Sequence, residues 1–154
     1  MIGGIKLSRE IKFRAKSLLT GEWVCGYYYN LPDGLKGKLR HIIVYENKGF
    51  GIQTVHEPVD VDTLGQYTGL EDKNDKEIFE GDIVKAHGND TMFPEEEAFI
   101  GEVVYDDTQC CFELRKEVFC EDFEGIAYEA CPLHGFFIEV LGNVFENPEL
   151  LEVV

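Results

Sequence analysis

Long hydrophobic runs are missing from this chain. No apolar stretch approaches the roughly 20 residues that a membrane-spanning helix needs, so no membrane association is expected. Residues 1–8 lack a basic start followed by a long apolar segment, so they do not read as a secretion signal, and the expected location is cytoplasmic. Positive charge is scarce: 14 Lys and Arg stand against 30 Asp and Glu, for a net charge of −16. The deficit is local. Residues 1–70 carry 9 basic and 7 acidic side chains, whereas residues 71–154 carry 5 and 23, or −18. A field of that sign repels phosphates at long range, which makes duplex DNA or RNA a poor ligand for the second half. Catalytic fingerprints are also absent: there is no Gly-x-Ser-x-Gly, no phosphate loop and no dinucleotide motif. The four histidines, His41, His56, His87 and His134, are scattered.

What is present is a pattern of short strands. At 44% apolar residues the chain of 154 can bury a core. Residues 11–16 alternate apolar and charged side chains, the signature of a strand with one face on a core. Residues 19–22 form a turn, and the aromatic run 23–29 suits a sheet. The cluster 30–34 turns again, 41–45 is a short strand, and 46–55 reads as a hairpin. Pro58 argues that residues 56–62 are an extended connection rather than a central strand. A polar, turn-rich stretch at 70–77 leads into an apolar strand entered through Gly81-Asp82. Residues 88–97 read as an acidic loop, 99–105 and 110–114 as strands, 117–134 as irregular, and 136–140 as a strand. Asn147-Pro148-Glu149 has the form of a helix start, with Asn at the cap and Pro at the first position. The expected architecture is mainly β: an N-terminal extension (1–8), a β-sheet region (9–70), and an acidic, barrel-like region (71–154) closed by a short helical turn.

Several constellations carry possible chemistry. Cys110, Cys111, Cys120, Cys131 and His134 lie within 25 residues, and the spacing Cys131-Pro132-Leu133-His134 suits a metal chelate. Structural zinc, however, uses two close pairs, and adjacent cysteines on a strand point to opposite faces. With Cys25 the cysteines number five, so any disulfide scheme leaves one over, and free thiols are the simpler reading. Asp72, Asn74 and Asp75 hint at calcium, yet Lys76 and Ile83 stand where an EF-hand loop needs oxygen ligands. Cys131–His134 is also the one Cys–His pair close enough in sequence to suggest a nucleophile and its base. Arg9, Lys12, Arg14 and Lys16 make a basic cluster whose simplest reading is the solvated face of a strand. Trp23, Tyr27, Tyr28 and Tyr29 could stack nucleic-acid bases, although packing within the sheet is the favoured reading.

Three blocks in order then match a known family. Thr63-Leu64-Gly65-Gln66-Tyr67-Thr68-Gly69-Leu70-Glu71-Asp72-Lys73-Asn74-Asp75-Lys76-Glu77-Ile78-Phe79-Glu80-Gly81-Asp82-Ile83-Val84 closely resembles the central signature of the YopX family of phage and prophage proteins. Ile11-Lys12-Phe13-Arg14-Ala15 with Gly21-Glu22-Trp23, and the ending from Ile138 to Leu150, look like its two ends, so the similarity spans residues 9–151. The resemblance implies a mainly β fold with an SH3-type barrel in the C-terminal part, and a bacterial host cell. It transfers no catalytic, cofactor-binding or metal-binding residue. One departure is Asn74-Asp75 in place of the more usual Asn-Gly, which suits a two-residue hairpin loop less well.

The expected function is a non-enzymatic accessory protein whose acidic C-terminal part engages a basic host or phage protein. The alternatives are a metal-dependent hydrolase using carboxylates or the Cys131/His134 region, and single-strand nucleic-acid binding by the N-terminal strands. Edge strands such as 23–29 leave room for a homo-oligomer.

Overall fold

A computed structural model describes residues 10–34, 37–47, 49, 51–87, 98–120, 125–133 and 137–152. The chain divides into two compact units, Met1–Gly69 and Leu70–Val154. Both are built from antiparallel strands, and among the described residues no helix is long and apolar enough to cross a membrane.

The first unit contains β1 (Phe13–Ser17), β2 (Trp23–Pro32), β3 (Leu39–Asn47) and most of β4 (Gln53–Glu71). They pair in sequence order, and β1 also pairs with β4, so the four strands close into a ring. Closure depends on long strands changing neighbours. The start of β2 pairs with β1 (Lys16 opposite Trp23, Phe13 opposite Gly26), and its remainder pairs with β3 (Tyr27 opposite Val44). Gly26 sits at that handover. A Cβ there would lie 2.1 Å from the Val44 carbonyl oxygen, so only glycine permits the approach. The small core gathers Ala15, Ile43 and Val59, with Phe13, Val24, Tyr45 and Leu64 packed around them.

Residues 56–62 are not a connection: they lie within β4. Pro58 is tolerated because it stands at the second handover. Ile42–Pro58 is the last pair with β3, and Ser17–Val59 begins the pairing with β1. The Pro58 carbonyl still accepts a bond from the Leu18 N–H at 2.9 Å. A bulge follows, where Thr63 Oγ1 accepts the Lys16 N–H at 2.8 Å and donates to the Asp60 carbonyl.

In the second unit, β5 (Glu77–Phe79) is followed by β6 (Asp82–His87), β7 (Phe99–Asp106), β8 (Cys111–Cys120), β9 (Gly125–Pro132) and β10 (Phe137–Asn143). The sheet order is β10-β6-β7-β8-β9: a meander whose last strand returns beside β6. Its core is larger and contains Ile78, Val84, Val103, Phe112, Leu114, Leu133 and Ile138. Within the stretch 117–134, read from sequence as irregular, residues 117–120 instead supply the end of β8 and residues 125–132 all of β9, paired from Glu113–Pro132 to Cys120–Gly125. The acidic loop 88–97, the N-terminal extension 1–8 and Arg9 lie outside the described residues. A 3-10 helix, Pro148–Leu151, follows β10. Asn147 stands at its cap but does not cap it with its side chain; its Oδ1 accepts the Asn143 N–H instead.

The turn between β4 and β5 is held by a buried carboxylate. Asp72, 7% exposed, accepts the N–H groups of Asn74 (2.7 Å) and Lys76 (3.0 Å) on Oδ1, and that of Val140 (3.1 Å) on Oδ2. The backbone closes a three-residue loop, with Asp72 N–H to Lys76 O at 2.8 Å and Asp75 N–H to Asp72 O at 3.0 Å. Asp75 takes φ +61°, the left-handed position such loops require. Asp82, buried after Gly81, similarly accepts the Phe79 N–H at 2.8 Å.

Candidate functional site

The strand register of the second unit gathers charge on the outer face of β7 and β8. Leu114 and Val103 are paired and point into the core, so their neighbours Glu102, Glu113 and Arg115 point outward, with Glu102 directly opposite Arg115. Glu113 is only 4% exposed, and its Oε1 accepts from Arg115 Nη2 at 2.6 Å and Nε at 3.1 Å. Burial pushes the Glu102 carboxyl above the usual range; Arg115 pulls it back in part, and Glu117 adds to the rise. With Leu151 of the 3-10 helix and Glu152 just after it, Glu102, Arg115, Lys116 and Glu117 line a cleft of about 310 Å³. Its lining sets three carboxylates, Glu102, Glu117 and Glu152, beside two cations, Arg115 and Lys116.

The neighbouring β7–β8 turn adds a firmly ionised carboxylate. Asp106 accepts from the Thr108 hydroxyl (2.6 Å) and N–H (2.7 Å) and from the Gln109 side chain (3.1 Å). These bonds, led by the Thr108 hydroxyl, hold its pKa down to about 2.

The first unit carries a different surface. Lys12 Nζ lies 4.6 Å from the centre of the Tyr67 ring, and the Arg14 guanidinium and Lys16 Nζ lie 4.8 and 5.5 Å from that of Trp23. The basic face of β1 is therefore not simply solvated: its cations rest on aromatic rings. The aromatic run divides by strand alternation. Tyr28 points inward, 5.6 Å from the Phe13 ring, with its hydroxyl 2.6 Å from His41 Nδ1, whereas Tyr27 is 66% exposed. Tyr29 meets His56 edge-on, with hydroxyl to Nδ1 at 2.9 Å.

The cysteine constellation is dispersed among the described residues. Cys110 is exposed in the turn rather than in β8, at φ +54°. Cys131 faces the core opposite Leu114, and Cys111, three residues from Leu114, falls on the other face. Burial, and then the Glu113 carboxylate, push the Cys131 thiol up, so it stays protonated at neutral pH, the opposite of an activated nucleophile. His134 and the side chain of Cys120 lie outside the described residues, and among those described no group of three or more His, Cys, Asp and Glu is placed to hold a metal ion. In the suspected calcium loop, the Asp72 oxygens are already occupied by backbone N–H groups. Sequence reading missed the Glu102–Glu113–Arg115 cluster. The alternation of β8 was a usable signal, but it pairs these residues only once the β7–β8 register is known.

Comparison with known proteins places this geometry in context. No curated protein matches the chain. Among solved structures, the crystal structure of protein EF1440 from Enterococcus faecalis is similar, at 28% identity and a TM-score of 0.47, covering 94% of this chain and 99% of that one. Residues 12–152 match the family model described as YopX protein. That match runs from the residue before β1 through the 3-10 helix, and the chain therefore belongs to the YopX family.

Proposed function

We propose that this chain is a non-enzymatic accessory protein of a phage or prophage, working in the bacterial cytoplasm, whose second unit docks a basic protein partner. The observation that carries the reading is the division of charge: 23 acidic against 5 basic side chains after residue 70, on a unit whose outer sheet face includes the Glu102–Arg115–Glu117 cleft. Such a field steers a cationic partner into encounter and rejects nucleic-acid phosphates. The strand order β10-β6-β7-β8-β9, in which the last strand returns beside the first of the meander, supports an SH3-type barrel for this unit.

Affinity capture from bacterial lysate tests the proposal, using the parent protein beside a variant with Glu102, Glu117 and Glu152 changed to Gln. A basic protein held by the parent in low salt, released in high salt and missed by the variant is the expected result. A partner indifferent to salt and to the substitutions contradicts it.

A further inference from the structure

We infer that the outer face of β1 and β2 in the first unit is a stacking platform for single-stranded nucleic acid. Two patterns converge there. On β1, Phe13, Ala15 and Ser17 turn toward the ring interior, which leaves Arg14, its Nε buried, and Lys16 on the opposite face; Lys12, just before the strand, has a side chain 14% exposed and pairs with Glu10 at 3.0 Å. On β2, Trp23 stands directly opposite Lys16, and Cys25 directly opposite Arg14, so both share that outer face. Alternation carries the face on to Tyr27 and Tyr29, while Tyr28 is committed to the interior through Phe13 and His41. The result is one strand of cations beside one strand of outward aromatics.

Both chemistries point to the same ligand. Tyr27 keeps 66% of its surface exposed although an aromatic ring gains by burial, and Cys25, between it and Trp23, is exposed too. Tyr27 and Tyr29 lie about 6–7 Å apart along the strand, and Trp23 lies about 13 Å from Tyr27 with Cys25 between them, so the rings meet bases of an extended strand at one-step and two-step intervals. Arg14 and Lys16 hold positive charge over the Trp23 ring, 4.8 and 5.5 Å from its centre, which pairs the two chemistries that single-strand platforms use, charge for phosphates and rings for bases. An acidic peptide would use the cations but not the rings. A duplex would hide its base faces from them and bring a denser charge into the field of a chain of net −16. The first unit, at +2, is the half of the molecule where an anion is tolerated.

Trp23 is the sole tryptophan of the chain, so the platform carries its own reporter. The full-length protein is titrated with an unlabelled oligothymidylate in low salt while tryptophan emission is followed, and affinity is measured in parallel by anisotropy of a labelled copy. The expected result is saturable quenching, with affinity about tenfold weaker in Tyr27→Ala. In Lys16→Gln the slope of log affinity against log salt should fall by about 0.7. Absence of both quenching and binding overturns the inference. So does equal affinity for blunt duplex or polyglutamate, or binding untouched by Tyr27→Ala. The quenching is read on the unsubstituted protein, so it decides the matter even where a variant fails to fold.

Discussion

Two carboxylates in the β4–β5 turn act in different ways, and both can be tested singly. Asp75 holds φ +61°, a conformation that costs an ordinary side chain energy and a glycine almost none. Asp75→Gly should therefore raise stability by about 0.5–1 kcal/mol, read as a higher urea midpoint at unchanged slope. From sequence, Asn74-Asp75 looked like an awkward two-residue loop. The loop has three residues, because Asp72 accepts the N–H groups of Asn74 and Lys76 and fixes the turn around itself. That role was not legible, since Asp72 is one of 30 acidic residues and Val140, its third backbone donor, is 68 positions away. Burial on its own would raise the Asp72 carboxyl, but the N–H groups of Val140, Lys76 and Asn74 together outweigh it and hold the pKa below the ordinary aspartate value. A folded-state pKa below the unfolded one contributes stability that is complete above about pH 4 and is lost as pH falls through the folded value. Asp72→Asn places an N–H₂ against a backbone donor and should cost about 2 kcal/mol at pH 7. Chemical denaturation across pH should show that difference shrinking in acid, where protonated Asp72 also loses an acceptor.

At the level of elements, the closed ring of the first unit depends on β2 and β4 each serving two neighbours. Gly26 is the point where this arrangement has no slack: an added Cβ would lie 2.1 Å from the Val44 oxygen, against main chain that cannot swing aside. Gly26→Ala should cost about 3 kcal/mol and lower the thermal midpoint by on the order of 10 °C, measured by circular dichroism. Pro58 shows why strand exchange was hard to read in sequence. Proline argues against a strand with partners on both sides, and β4 changes partner at that residue, from Ile42 on β3 to Ser17 on β1. Strand alternation in residues 11–16 was local and readable, and it survives as β1. The 117–134 segment was obscure because β8 and β9 draw their order from pairing with each other, residue by residue, and an isolated reading of either lacks its partner.

For the whole molecule, the decisive property is that charge is divided along the chain: +2 before residue 71 and −18 after it. The mainly β class and this asymmetry were readable from composition and periodicity alone. The clustering of Glu102, Glu113, Arg115 and Glu117 was not, because it arises from register across β7 and β8. Under the proposed function, the acidic surface would recognise a basic partner through interactions that weaken as the screening length drops from about 10 Å at 0.1 M salt to about 3 Å at 1 M. The most direct measurement is a titration of a labelled lysine- and arginine-rich peptide into the full-length protein across that salt range, beside the Glu102, Glu117 and Glu152 to Gln variant. Binding that falls steeply with salt and is weakened by the three substitutions is the predicted result. No binding at the lowest salt, or binding that neither salt nor the substitutions change, would contradict it.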